Sequence, residues 1–306
     1  MSGRIEQEQQ MERWIEAKLS SQPQIIKDYM LSCKRKTSST RRAYLGYIVQ
    51  YKNFMESQGV KLTEVKPMHI DRFIDHISQT NGNSIINTKL AAITDFYEFL
   101  RRNDFVSTNP CDGDIKLKID KKDSVIFMTD DEVKKVKENA TAGKIKFANR
   151  DLCIITLGCA TGLRVSAIRN IDIEDINFEN KTIDVVEKGN KKRTIFIGDN
   201  TIRIIKTWMD DREKIFNNNS GPLFMSQKKN RMAVRTIEEM IHNAAKGIDK
   251  HITPHKMRST CAMKLYDMTG DIYLTAQQLG HSNISNTMIY AKATEERRRE
   301  AAALLD

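Results

Sequence analysis

Between Ser39 and Leu100 apolar residues return every three or four positions, and that period constrains the fold more than any other feature of the chain. Tyr44, Tyr47, Ile48, Tyr51, Phe54 and Met55 fall on one face of a helix that starts near Ser39 and stops at Gly59. Ile70, Phe73, Ile74 and Ile77 stripe another helix, and Ile86, Leu90, Ile93, Tyr97 and Leu100 a third. Apolar stripes joined by short connections close on one another, so the stretch from Pro23 to about Asp104 is expected to be a small bundle of four helices. Ahead of it, Met11, Trp14, Ile15 and Leu19 recur at helical spacing in a mostly polar segment, which predicts a short helix that docks on something.

The second half of the chain is more varied. From Val106 to Val125 the periodicity gives way to polar sequence with Asn109-Pro110, Gly113 and mixed charge from Lys118 to Asp123, the marks of a linker. Thr129-Asp130-Asp131-Glu132 reads as a capping box and not as a metal site, because the spacing suits a cap and its reciprocal acid. Asp172, Glu174 and Asp175, in a turn after a helix, are read as structural too. Asn149 to Asn170 holds an apolar helix, a break at Thr161-Gly162, and Arg164 at the start of the next helix, where the helix end is already set for anions. Thr182 to Glu187 and Lys192 to Ile197 are β-branched runs around Lys188-Gly189-Asn190-Lys191, a hairpin with a glycine-containing turn. Ser226 to Arg235 is polar and basic, and Met232 to Ala245 has a helical pattern.

A chain of 306 residues is expected to form two domains, and its formal net charge of +10 favours a polyanion as partner. Phosphate contacts are expected from Lys34, Arg35, Lys36, Ser39, Thr40, Arg41 and Arg42 at a helix start. Further contacts are expected from Lys191, Lys192 and Arg193 in the hairpin and from Lys228, Lys229 and Arg231 beyond it. Five cysteines without a C-x-x-C pair suggest neither a disulfide framework nor a zinc site, and Cys153, Cys159 and Cys261 sit in apolar runs as packed thiols. No apolar run approaches a membrane span and no signal peptide is visible, so a soluble cytoplasmic protein is expected. No Walker-type glycine loop is present, so neither ATP nor any other cofactor is implied, and no metal is expected.

The chemistry concentrates between His251 and Tyr290. Thr253-Pro254 is a cap residue with a first-turn proline, and His255 and Arg258, three apart, share a face of the helix it opens. A guanidinium fork matches two non-bridging phosphate oxygens, and an imidazole beside it can move a proton near neutral pH. Gly280 ends the next helix as a left-handed cap would, leaving His281 at the head of a tight connection to a helix that carries Tyr290. A phenol, with a pKa of about 10, attacks phosphorus only with the help of a base or a strong positive field.

HKMR followed by LGHSNISNTMIY resembles the C-terminal signature of the tyrosine recombinases, the phage integrase family. ATGLRVSAIRNIDIEDI resembles the segment that carries the first family arginine, at Arg164, and DVVEKGNKKRTIFI the hairpin that carries the family lysine, at Lys188. The resemblance implies six catalytic residues: Arg164, Lys188, His255, Arg258, His281 and the nucleophile Tyr290. Two positions depart from the family pattern, Ala167 where an acid is usual and Ser259 where His is frequent.

The implied fold is mainly α with a small β-hairpin, arranged as a two-domain DNA clamp. Its parts would be an N-terminal helical extension over residues 1–22, a helical core-binding domain over 23–105, a linker over 106–125 and a catalytic domain over 126–293. Residues 294–306 would form a tail that packs on a neighbouring protomer in a tetramer on DNA, with a monomer in free solution. The implied activity is site-specific recombination or integration of double-stranded DNA through a 3′-phosphotyrosine and a four-way junction. Rival readings are a non-catalytic regulator, with TAQQLGHSNISNTMIY as helix, turn and helix, and a type IB topoisomerase; a metal-dependent nuclease fits least.

Overall fold

The computed structural model describes residues 2–113, 115–119, 125–142, 146–186, 192–281, 283–291 and 302–303. It divides into two compact units, 1–121 and 122–306.

The first unit is built from α1 (Ser2–Ser20), α2 (Gln24–Ser32), α3 (Ser38–Ser57), α4 (Pro67–Ser78) and α5 (Asn83–Arg102), with one turn of 3-10 helix at Cys33–Arg35. Local chemistry sets these limits. The Thr37 hydroxyl caps α3 by accepting the Thr40 N–H at 3.3 Å, and Gly59, at φ 69°, turns the chain away after it. Pro67 opens α4, whose His69 Nδ1 accepts the Lys66 N–H at 2.9 Å.

The three sequence stripes meet in one core. Ile48, Tyr51, Met55, Phe73, Ile86, Ile93 and Tyr97 are all buried there. The Tyr51 and Tyr97 hydroxyls lie 2.9 Å apart, and Tyr97 donates to the Leu62 carbonyl at 3.1 Å, so both polar ends are satisfied inside an apolar core. The N-terminal helix is longer than a short docking helix, at 19 residues, and it packs on α3 with Ile15 buried. Beyond α5 the polar stretch folds back on the bundle. Cys111 is buried, and the Asn87 side chain brackets Leu117 by donating to its carbonyl at 2.8 Å and accepting its N–H at 2.9 Å.

In the second unit, α7 (Ala148–Thr161) is buried on nearly every side, as a helix apolar all round must be. Packed on it are α6 (Asp130–Thr141), α9 (Asp199–Phe216) and α11 (Pro254–Thr269), with α8 (Val165–Asn170), α10 (Val234–Ala244) and α12 (Ile272–Leu279) beside them. The expected capping box forms at the head of α6, where Thr129 Oγ1 accepts the Glu132 N–H at 3.2 Å and Glu132 Oε2 accepts the Thr129 N–H at 2.8 Å. Lys250 donates to the same carboxylate at 2.7 Å, which ties the approach to α11 onto α6. Asp172 and Asp175 form a second box, and Glu174 accepts the Gly221 N–H, so these acids brace turns.

The hairpin expected in the sequence lies in a three-stranded antiparallel sheet in the order β1 (Ile176–Asn177), β2 (Thr182–Val186), β3 (Lys192–Phe196). Val186 pairs with Lys192, which brings the two ends of the intervening turn together. The turn itself, with Lys188 and Lys191, lies outside the described residues. Among the described residues, no helix is long and apolar enough to cross a membrane.

Candidate active site

A tight turn and two helix ends gather the polar groups of the second unit. Gly162 ends α7 at φ 64°, and the chain re-enters a helix at once with Arg164 in the capping position of α8. Glycine is required here twice over. The positive φ disfavours other residues, and a Cβ would lie 2.6 Å from Leu279 Cδ2 and 3.3 Å from Cys261 Sγ.

Arg258 stands one turn into α11, whose Thr253 cap and Pro254 form as the sequence predicts. It is 2% exposed. Its guanidinium donates to the Gly162 carbonyl and to the Leu279 carbonyl, both at 2.6 Å, so one side chain ties the α7–α8 turn to the end of α12. Such acceptors are what allow a cation to be buried at all. The next turn delivers His281. Gly280, at φ 64°, closes α12, the His281 N–H returns to the Ala276 carbonyl at 3.0 Å, and His281 Nδ1 lies 2.7 Å from the Thr287 hydroxyl. Thr287 is fully buried, so the ring is oriented from within the core.

Arg164, His255, Arg258 and His281 therefore line one cavity of ≈ 410 Å³. Ser166 and Glu238 line it as well. Burial lowers the His255 pKa below the ordinary imidazole value, and the positive charges of Lys256, Arg258 and Arg164 lower it further. At neutral pH this ring is a neutral base able to accept a proton.

Tyr290 is placed differently from expectation. It sits not on a helix but in a turn after a single 3-10 turn at Ile284–Asn286. Asn283 caps the Ser285 N–H, and the Tyr290 N–H returns to the Thr287 carbonyl, so short-range turns replace a continuous helix. Its ring is 3% exposed and packs with Ala262 and Leu279. The hydroxyl approaches Ser259 Oγ at 3.5 Å and lies outside the lining of the cavity. The same turns leave the helix–turn–helix reading without its second helix among the described residues. Ala167, where a carboxylate was a sequence-based question, is buried among apolar neighbours.

The basic residues divide by their surroundings. Lys34, Arg35, Ser39, Lys192, Lys228 and Lys229 are exposed, and Thr40 is partly so. Lys36 donates to Asp95 at 3.3 Å, and Arg42 lies over the Trp14 ring. Arg41 is paired with Glu12, and Arg193 donates to the Gln278 carbonyl at 2.7 Å. Arg231 bonds Asp172 and the Arg169 carbonyl. Sequence reasoning missed Thr287 and Glu238. A hydroxyl six residues after His281 is the only signal that pointed to the first, and Glu238 carries none, because α10 meets the cavity only in the folded chain.

Residues 126–297 match the model of the phage integrase family, and residues 26–104 match that of the phage integrase N-terminal SAM-like domain. Tyrosine recombinase XerC of Caldanaerobacter subterraneus subsp. tengcongensis is 30% identical over 300 residues, which span 90% of this chain and 83% of that protein. The fold is also that of the XerH site-specific recombinase bound to its difH substrate, with a TM-score of 0.66 at 20% identity over 88% of this chain and 79% of that one. A lambda integrase tetramer bound to a Holliday junction gives a TM-score of 0.71 at 16% identity over 89% of this chain and 78% of that one.

Gly162→Ala should lower the stability of the protein by about 2–4 kcal/mol in urea unfolding, since it combines a left-handed backbone with a clash against Leu279. An unchanged midpoint would mean that the turn relaxes without cost. Because His255 is held neutral, any reaction that uses it as a base should slow as pH falls through a value below 6.5, and His255→Gln should flatten that limb of the rate–pH profile.

Proposed function

The chain belongs to the phage integrase family, the tyrosine recombinases, and from that premise we propose that Tyr290 is the nucleophile of a reaction carried out in the Arg164–His255–Arg258–His281 cavity. The protein is a site-specific DNA recombinase, an enzyme that cleaves and rejoins DNA. The observation that supports the residue roles is the convergence of two arginines and two histidines, from three separate stretches of chain, on one cavity.

In this reading the scissile phosphate enters that cavity. Arg164 and Arg258 hold the non-bridging oxygens and stabilise the charge that grows on them in the transition state. His255 takes the phenol proton as the Tyr290 oxygen bonds to phosphorus. The bond from phosphorus to the 5′-oxygen breaks, and Lys188 supplies the proton that makes the leaving group a 5′-hydroxyl. Thr287 lies 2.7 Å from Nδ1 of His281; with Thr287 as the donor, Nε2 carries the proton and donates to a phosphate oxygen. The 3′-phosphotyrosine conserves the bond energy, so a second 5′-hydroxyl reverses the step and rejoins the strand without a nucleotide. In this reading Tyr290, packed against Ala262 and Leu279 with its hydroxyl near Ser259, moves toward the phosphate as it attacks.

The helical unit at residues 26–104 and the catalytic unit at 126–297 each contact the duplex, with Lys34, Arg35, Ser39, Lys192, Lys228 and Lys229 on phosphates. Four protomers assemble on paired sites, each C-terminal tail packing on its neighbour. Met268, Tyr273 and Leu274 are exposed around the α11–α12 corner and are apolar groups that such a tail could cover. The protein works in the cytoplasm, on the cell's DNA.

A nicked suicide duplex carrying the element ends should trap the wild-type protein as a band that survives denaturation, and Tyr290→Phe should abolish that band while leaving DNA binding intact. Adduct formation by the Phe variant would remove Tyr290 from the mechanism.

A further inference from the structure

We propose that α1 is a built-in competitor for DNA, its Glu8 and Glu12 occupying the first turn of α3, where a DNA phosphate would otherwise be held. This rests on the reading of the protein as a DNA-binding recombinase. Three consecutive contacts carry it. Glu12 accepts from Arg41 Nη1 with both carboxylate oxygens, at 2.8 and 3.0 Å. One turn earlier on the same face of α1, Glu8 Oε1 accepts from Ser38 Oγ at 3.3 Å. The Arg42 guanidinium lies 4.8 Å from the centroid of the Trp14 ring. A carboxylate bonded by both oxygens to a guanidinium, beside a hydroxyl and at the positive end of a helix, occupies the place a phosphate would take.

The arrangement is held firmly enough to compete and loosely enough to be displaced. Ile15 is 1% exposed and fixes α1 against α3, so both acids are presented at a defined place. The Arg41 and Glu12 side chains remain 17% and 33% exposed, so the pair is partly open to solvent, where a polyanion can reach it. The two helices, with Lys89 of α5, also wall an open cavity of ≈ 480 Å³ lined by Trp14, Arg42, Tyr47 and Gln50. When Glu12 yields, Arg41 is released at the first turn of α3, and the cost of breaking the Glu12–Arg41 pair sets a threshold for binding.

The test uses the full chain and a fluorescent duplex oligonucleotide of random sequence, titrated at several salt concentrations. Glu8→Gln/Glu12→Gln should bind about three- to tenfold tighter than wild type, with a log–log salt slope steeper by about one for the phosphate contact regained. Glu16→Gln removes the same charge one turn further along α1 and should change affinity much less. In an Arg41→Gln background the gain from Glu12→Gln should disappear. The proposal is overturned if Glu16→Gln matches Glu12→Gln, if the gain persists without Arg41, or if the double variant binds no better than wild type. A wild-type protein that fails to bind the duplex at low salt would instead sink the DNA-binding reading on which the competitor depends.

Discussion

One buried guanidinium fixes the geometry of the catalytic unit. Arg258 reaches the Gly162 carbonyl with one nitrogen and the Leu279 carbonyl with another. The first belongs to the turn that presents Arg164, and the second to the helix end that presents His281. A cation at 2% exposure is costly unless such acceptors meet it, so the side chain and its two turns stabilise one another. The glycine at 162 completes the arrangement, because only a residue without a Cβ lets the turn approach Leu279 so closely. Two of the groups that line the cavity, Arg164 and His281, thus depend on a third, Arg258.

Much of this was legible in the sequence because the signals are local. The stripes on α3, α4 and α5, the Thr129–Glu132 box, the Thr253-Pro254 helix start and the glycines at 162 and 280 each act within a few residues of themselves. What could not be read depends on contacts across the chain. The packing of α1 on α3 needs Ile15 to meet a surface more than twenty residues away. Arg231 looks like a DNA contact in sequence, yet Asp172, 59 positions earlier, engages it. Arg212 is buried at 1% exposure, holding the carbonyls of Pro222, Asn218 and Ser220 so that the loop after α9 keeps its path. The short turns that replace the expected helix at Tyr290 are held by the Asn283 cap and by i→i+3 backbone bonds at Thr287 and Tyr290.

The placement of Tyr290, the proposed nucleophile, sets it apart from the cavity residues. Arg164, His255, Arg258 and His281 are assembled at helix ends, whereas Tyr290 is packed against Ala262 and Leu279 on a run of short turns. Preorganised donors contribute most to stabilising developing charge.

The central claim is that the fork geometry of Arg258, and not its charge alone, organises the site, and Arg258→Lys tests it most directly. A lysine keeps the charge but offers a point-like ammonium that cannot bridge two carbonyls held on opposite sides. On a nicked substrate, the variant is predicted to form the covalent adduct on the order of a hundredfold more slowly, while binding duplex DNA within about twofold of wild type. Adduct formation at the wild-type rate would contradict the account, since it would mean that positive charge suffices and the double tether to Gly162 and Leu279 does not set the geometry.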